Sequence, residues 1–143
     1  MPYADNSGVS IHYHVEGDGP PLVMQHGLTN SLQTWYAYGF VEELKKGYRV
    51  ILVDARGHGR SDKPHDPKDY DLKLRVRDIL AVMDDLDVDK AHYMGYSMGG
   101  RIGFGLVMHA LDRFHSLILG GMGADTVNSD TPPQDRINTL RQG

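Results

Sequence analysis

A serine stands between two glycines at Gly95-Tyr96-Ser97-Met98-Gly99. This G-x-S-x-G spacing suits a tight strand-to-helix turn that projects the serine hydroxyl above a sheet, where it can attack an acyl carbon. Such a turn forces an unfavourable backbone conformation on the serine and crowds the residues two before and two after it. Glycine at 95 and 99 removes the side chains that would collide. A helix that starts after Ser97 aims its free N–H groups and positive dipole end at the hydroxyl. The Met98 N–H is then the natural first donor to the oxyanion of a tetrahedral intermediate. A short pattern of this kind also arises by chance in a chain with 17 glycines, so the flanking elements decide.

Those elements alternate. Val9–Glu16 switches between apolar and polar residues, as a half-exposed strand does, and the turn residues Gly17 to Pro21 end it. Leu22–Met24 reads as a short strand running into Gln25-His26-Gly27. Asn30 or Ser31 can cap one helix running to about Leu44, with Gly47 as its stop. The apolar run Val50–Val53 suits a strand covered on both faces, and a turn-rich loop, Asp54 to Pro67, follows it. Leu72, Val76, Ile79, Leu80, Met83 and Leu86 recur at helical spacing behind a cap at Asp69 or Asp71.

Ala91–Tyr96 then reads as the strand before the serine, and Met98–Leu111 as an apolar helix after it. Gly99, Gly100, Gly103 and Gly105 would weaken an exposed helix, and they make sense if this one lies tight against the sheet. Leu117–Leu119 is the last strand expected, and a short helical start is expected at Asp135–Leu140. The order predicts an α/β fold, a mostly parallel sheet with helices on both faces. In such sheets ligands bind beyond the carboxyl ends of the strands. The turns after Met24, Val53 and Tyr96 should gather there.

The chain has 143 residues, 40% hydrophobic and 24% charged, which fits one globular domain. The net charge is −4 and no basic block stands out, which argues against nucleic acid or a membrane surface as partner. There is no cysteine, so thiolate catalysis, disulfides and Cys-zinc sites are excluded. No metal constellation or cofactor fingerprint is present, and none is expected to be needed. The start, Met1 to Gly8, lacks the pattern of a signal peptide, and no apolar run reaches the length of a membrane span; a soluble, cytoplasmic protein is expected.

Three motifs in this order resemble the α/β-hydrolase superfamily: His26-Gly27-Leu28, then Asp54-Ala55-Arg56-Gly57-His58-Gly59-Arg60-Ser61-Asp62, then the turn at Ser97. The resemblance runs from about Val9 to Gly123. It implies that the backbone N–H of Leu28 is the second oxyanion donor beside Met98. The Asp54–Asp62 loop looks like the family's D-x-R-G-x-G-x-S loop, which is mostly architectural. Relatives that open epoxides or remove halides place Asp at the nucleophile. Serine points to ester, thioester, lactone, amide or C–C bond hydrolysis through an acyl-enzyme.

In the resembled family an acid and then a histidine complete the triad further along the chain. The resemblance thus implies a truncated fold lacking the last strands and helices, with residues 1–123 as the N-terminal part of the core. Residues 124–143 would start a lid or form a disordered tail. Of the eight histidines, His26 and His58 follow strands on the serine's edge and are the candidates for a substitute base, although the commoner work of His26 is to brace the oxyanion loop. Asp125 and Asp130 are weak candidates for the acid. Trp35, Tyr36 and Tyr38 either line an acyl pocket or pack in the core.

The leading expectation is a serine hydrolase of carboxylic esters or related acyl compounds, with its His and acid supplied by a missing segment or another chain. A catalytically inert module that binds a partner, and a C–C bond hydrolase or cofactor-free perhydrolase, are the alternatives. An unpaired last strand predicts association with the second half of the enzyme or with a second copy.

Overall fold

The structure is a computed structural model, and it describes residues 2–121. Six strands form one sheet in the order β1-β2-β4-β3-β5-β6. They are β1 (Tyr3–Asn6), β2 (Val9–Glu16), β3 (Pro21–Gln25), β4 (Arg49–Val53), β5 (Ala91–Tyr96) and β6 (Phe114–Gly120). β1 and β2 run antiparallel to each other, and β2 runs antiparallel to β4. The β4–β3, β3–β5 and β5–β6 pairs are parallel, so the expected mostly parallel sheet is present. The helices are α1 (Gln33–Ala37), α2 (Phe40–Leu44), α3 (Leu72–Asp85) and α4 (Met98–Ala110), with short 3-10 turns at Pro67–Tyr70 and Leu111–Arg113.

Alternation along the central strands sorts the core into two layers. Val23, Ile51, Val53 and Tyr93 face Val76, Ile79 and Met83 of α3 and Ile102 and Leu106 of α4. Leu22, Met24, Val50 and Leu52 face Leu32, Trp35 and Val41 at α1 and α2. Helices thus cover both faces, as the alternating order of elements predicts.

The sequence reading needs three adjustments. The single helix expected from residue 30 to 44 is two short helices. Gly39 between them takes a left-handed backbone (φ 81°) that an ordinary helical residue avoids. Ser31 does not cap through its backbone position; its Oγ instead accepts the Gln33 N–H at 3.2 Å. The antiparallel strand β1 escaped the sequence reading because Tyr3–Asn6 is too short and polar to show a period, and pairing with β2 makes it a strand. Finally, β6 runs past Leu117–Leu119 at both ends. Among the described residues it forms the sheet's far edge, with β5 on one side only. The expected segment 124–143, with Asp125, Asp130 and the helical start at Asp135–Leu140, lies outside the described residues.

The glycines of α4 act as the sequence suggests. A Cβ on Gly99 would collide with the Gln25 carbonyl of β3, and one on Gly95 would collide with the Gly99 carbonyl. Further along, a Cβ on Gly105 would meet Val76 of α3 at 2.8 Å. The first turn of α4 therefore sits on backbone, where no flexible side chain can yield. Gly99→Ala is expected to lower stability by about 3 kcal/mol, the upper part of the range for forcing a methyl into a packed site. Urea unfolding measures this; an unchanged midpoint would mean that α4 does not press on β3.

Candidate active site

The carboxyl ends of β3, β4 and β5 deliver three loops to one edge. Ser97 follows β5 directly and has φ 57° and ψ −112°, a conformation outside the ordinary allowed regions. Its N–H donates to the Gly120 carbonyl at the end of β6 (2.8 Å), and its carbonyl accepts the Arg101 N–H as the first bond of α4 (3.0 Å). Below it, the buried Tyr93 hydroxyl donates to the Gly99 carbonyl at 2.6 Å; burial pushes that phenol well above its ordinary pKa, so it stays a donor. The turn is thus held from the strand beneath, from the edge strand and from its own helix. Met98 opens α4, and no hydrogen bond to its N–H is formed among the described residues.

The loop after β3 comes against this turn. A Cβ on Gly27 would lie 3.3 Å from the Ser97 Cβ, so the His-Gly pair passes close against Ser97. Leu28 sits in a tight turn closed by Asn30 N–H to the Gly27 carbonyl (3.2 Å), and its side chain points into solvent.

His26 and His58 lock two loops together. His26 is buried; its Nε2 accepts the Ala55 N–H (3.1 Å) from the loop after β4. His58 belongs to that second loop, and its Nε2 accepts the Thr29 N–H (3.3 Å) from the first. Each ring carries its proton on Nδ1, which donates to a carbonyl of its own loop: Gly27 at 2.7 Å for His26, Arg56 at 3.0 Å for His58. The rings lie 5.3 Å apart. Both candidate substitute bases are therefore engaged in the contact between these loops. With each Nδ1 bonded within its own loop and each Nε2 accepting from the other loop, neither ring nitrogen is directed at Ser97, and among the described residues no side chain hydrogen-bonds its Oγ. What sequence inspection missed was the exchange of N–H groups between loops, which depends on three-dimensional placement.

The Asp54–Asp62 loop is architectural in the same sense. Buried Asp54 accepts the Leu32 N–H (2.8 Å), the Arg60 N–H (3.1 Å) and His12 Nδ1 (2.8 Å). Ser61 Oγ donates to the Asp54 carbonyl (2.6 Å) and accepts the His12 N–H (2.8 Å). Arg56 forks onto Asp78 of α3 with two bonds of 2.7 Å. The Asp78 contact holds the guanidinium firmly charged, above its ordinary pKa.

Beside Ser97, on the α1–α2 face, lies a cleft of about 490 Å³. Trp35, Tyr38, Phe40, Met94 and Ile118 give it an apolar lining, and His26, Gly27 and Asn30 form its end near the serine. Two of the three aromatic residues singled out from the sequence are therefore at the cleft. Tyr36 is not; its hydroxyl donates to Glu16 (2.8 Å) and meets His14 Nδ1 (3.3 Å). Among the described residues no group of three or more His, Asp or Glu side chains is arranged to hold a metal, and no helix is long and apolar enough to cross a membrane.

Residues 20–138 match the family model described as alpha/beta hydrolase fold. The chain is 34% identical over 113 residues to a putative 2-succinyl-6-hydroxy-2,4-cyclohexadiene-1-carboxylate synthase of Bacillus subtilis (strain 168), covering 76% of this chain and 40% of that protein. It is 34% identical over 116 residues to 2-hydroxymuconate semialdehyde hydrolase of Pseudomonas sp. (strain CF600), covering 80% and 41%. Among solved structures it is similar to the enol-lactonase from Burkholderia xenovorans LB400, with TM-score 0.75, 34% identity, and coverage of 81% of this chain and 45% of that one. The chain spans about two fifths of the length of the curated relatives it matches.

Burial holds the His26 pKa below its ordinary 6.5, outweighing the Gly27 carbonyl, which raises it. In the unfolded chain the ring takes up a proton as pH falls through that ordinary value, whereas the folded ring resists. Stability contributed by His26 is therefore full above about pH 6.5 and declines as pH falls toward the lower folded pKa. His26→Gln is expected to flatten this part of the stability profile between pH 7.5 and 5. Urea midpoints across that range measure it, and an identical slope in the variant would show that His26 is not held neutral.

Proposed function

The chain belongs to the α/β-hydrolase fold family, and from that premise we propose that it carries the nucleophile of a serine hydrolase acting on carboxylic esters or related acyl compounds. The single observation that carries this reading is the strained Ser97 at the start of α4, within van der Waals reach of the His26-Gly27 loop. In this reading Ser97 Oγ attacks the acyl carbon and its proton passes to a base. The carbonyl oxygen becomes an oxyanion held by the Leu28 and Met98 N–H groups. Collapse expels the alcohol, which recovers the proton, and water then releases the acid by the same steps reversed in role. The acyl portion lies in the cleft lined by Trp35, Tyr38 and Phe40.

The base and acid come, in this proposal, from polypeptide that packs against β6, either the rest of the hydrolase or a second copy. The edge strand supports that. Ile118 and Tyr96 are exposed on one face beside β6, and Val107, Met108 and Leu111 are exposed on α4 and just beyond it. Apolar side chains on both flanks of a strand that has one neighbour among the described residues fit an interface better than open solvent. A second reading, hydrolysis of a C–C bond on the same nucleophile, is favoured by the likeness to 2-hydroxymuconate semialdehyde hydrolase. The busy ring nitrogens of His26 and His58 favour a third, a module that is inert on its own.

Fluorophosphonate labelling separates these readings. The probe is expected to attach to Ser97 and to leave Ser97→Ala unlabelled. Wherever p-nitrophenyl butyrate turnover is found, Ser97→Ala is expected to lower it on the order of 10³-fold or more. Turnover that survives the substitution would remove Ser97 from the chemistry, and no labelling in any assembly would favour the inert module.

A further inference from the structure

The loop after β3 folds back on itself beside the serine. The Asn30 N–H bonds to the Gly27 carbonyl at 3.2 Å, and the Asn30 side chain comes over Gly27. A Cβ built on Gly27 would lie 3.3 Å from the Ser97 Cβ and 3.7 Å from Asn30 Nδ2. Ser97 and the Asn30 amide therefore flank one point. Asn30 is exposed and lines the cleft, and its carboxamide makes no hydrogen bond among the described residues. Thr34 of α1 lines the cleft as well, and its hydroxyl is likewise without a partner among the described residues.

The rest of the cleft has a definite chemistry. Trp35, Phe40, Met94 and Ile118 form its apolar wall, and among the described residues no Asp, Glu, Lys or Arg lines it. His26, at the serine's end, spends Nδ1 on the Gly27 carbonyl and Nε2 on the Ala55 N–H. Trp35 is buried, and its Nε1–H has no acceptor among the described residues. The lining thus carries N–H and O–H donors that lack partners and no charge to meet an ion. A charged ligand would lose hydration there without a counter-charge. An uncharged ligand with an acceptor oxygen would give a donor the partner it lacks.

Distance narrows the place of that oxygen. Attack needs the reacting carbon about 3–3.5 Å from Ser97 Oγ, and a hydrogen bond needs the acceptor about 2.9 Å from Asn30 Nδ2. The Ser97 Cβ and Asn30 Nδ2 both come within 4 Å of one point, so the two reacting partners fit on one short stretch of substrate. In the proposed reading the oxygen of the attacked carbonyl has the Leu28 and Met98 N–H groups. The Asn30 amide is left for the next oxygen along the acyl chain.

We propose that Asn30 binds the substrate, its Nδ2–H donating to an uncharged carbonyl oxygen next to the carbonyl that Ser97 attacks. The substrate class is then a neutral ester with a second carbonyl on its acyl part and an apolar tail against Trp35 and Ile118. This deepens the proposed acyl-transfer reading and rests on it.

Trp35 is the only tryptophan of the chain, so its emission reports the cleft. The test titrates the Ser97→Ala chain, which keeps the ligands intact, with ethyl 3-oxohexanoate and with ethyl hexanoate. Both esters are expected to shift the Trp35 emission. Adding Asn30→Ala is expected to lower the affinity for the 3-oxo ester, relative to the plain ester, about fivefold, the worth of one neutral hydrogen bond. Asn30→Asp keeps the shape but has no N–H to donate, and it is expected to lower the ratio at least as far. Hexanoate anion is expected to bind at least about tenfold more weakly than its ethyl ester. An unchanged ratio in either folded variant, no response to either ester, or hexanoate bound as tightly as its ester would overturn the assignment. Should Asn30→Ala not fold, Asn30→Asp decides. Fluorophosphonate labelling of the unaltered chain judges the acyl-transfer reading separately. A chain that binds the esters as expected and fails to label keeps Asn30 as a ligand-binding residue and counts against Ser97 as the nucleophile.

Discussion

The architecture of this edge depends on how closely α4 approaches the backbone of β3 and β5. Gly99 rests on the Gln25 carbonyl and Gly95 on the Gly99 carbonyl. Only at that separation can the chain leave β5, turn through Ser97 and enter a helix without a connecting loop. The cost is a serine in a sparsely populated conformation, of order 1–3 kcal/mol. That cost is offset locally. The Ser97 N–H has the Gly120 carbonyl, the Gly99 carbonyl has the Tyr93 hydroxyl, and α4 buries Ile102 and Leu106 against the sheet. A strained residue persists where its surroundings over-determine it, and here a strand, a phenol and a helix each do so.

The same economy governs the polar groups behind the edge. Loops after β3 and β4 have few apolar side chains of their own, so their backbone N–H and C=O groups need partners. The partners are side chains from the neighbouring loop. His26 serves Ala55 and His58 serves Thr29, while Asp54 gathers donors from β2, from the start of α1 and from its own loop. The two histidines act here as acceptors through Nε2. This explains why residues that look like acid–base catalysts do structural work, and why the Gly27–Leu28 backbone is held still beside Ser97. A preorganised oxyanion site requires such rigidity, because donors that must reorient during the reaction lose much of their advantage.

Much of this was legible in the sequence because the relevant constraints are local. G-x-S-x-G encodes a collision between residues two apart from one centre. Val50–Val53 encodes burial on both faces, and Leu72 to Met83 encodes one helical stripe. What escaped inspection was non-local. β1 is a strand because β2 lies beside it, and the helix after Ser31 breaks because Gly39 turns left-handed where the chain wraps the sheet. The roles of His26 and His58 were ambiguous for the same reason, since a histidine's chemistry is set by what meets each ring nitrogen. Phe40, Met94 and Ile118 come from three distant segments, and nothing in their separate contexts marks them as one wall of a cleft.

The dependence of Ser97 on β6 joins the edge of the sheet to the strained turn. The Gly120 carbonyl that accepts the Ser97 N–H ends a strand with a single neighbour among the described residues. A strand paired on one side has more freedom to fray than one paired on both, and fraying from its carboxyl end would release that N–H first. The strained turn would then lose one of its supports and relax toward an ordinary conformation, drawing the hydroxyl away from the Gly27–Leu28 loop. Polypeptide that pairs with β6 would therefore do two things at once. In the proposed reading it would supply the base and acid, and it would hold Gly120 in place. On this argument the Ser97 turn and the β6 edge are thermodynamically coupled: whatever binds that edge favours the strained conformation of Ser97 by as much as that conformation favours its binding.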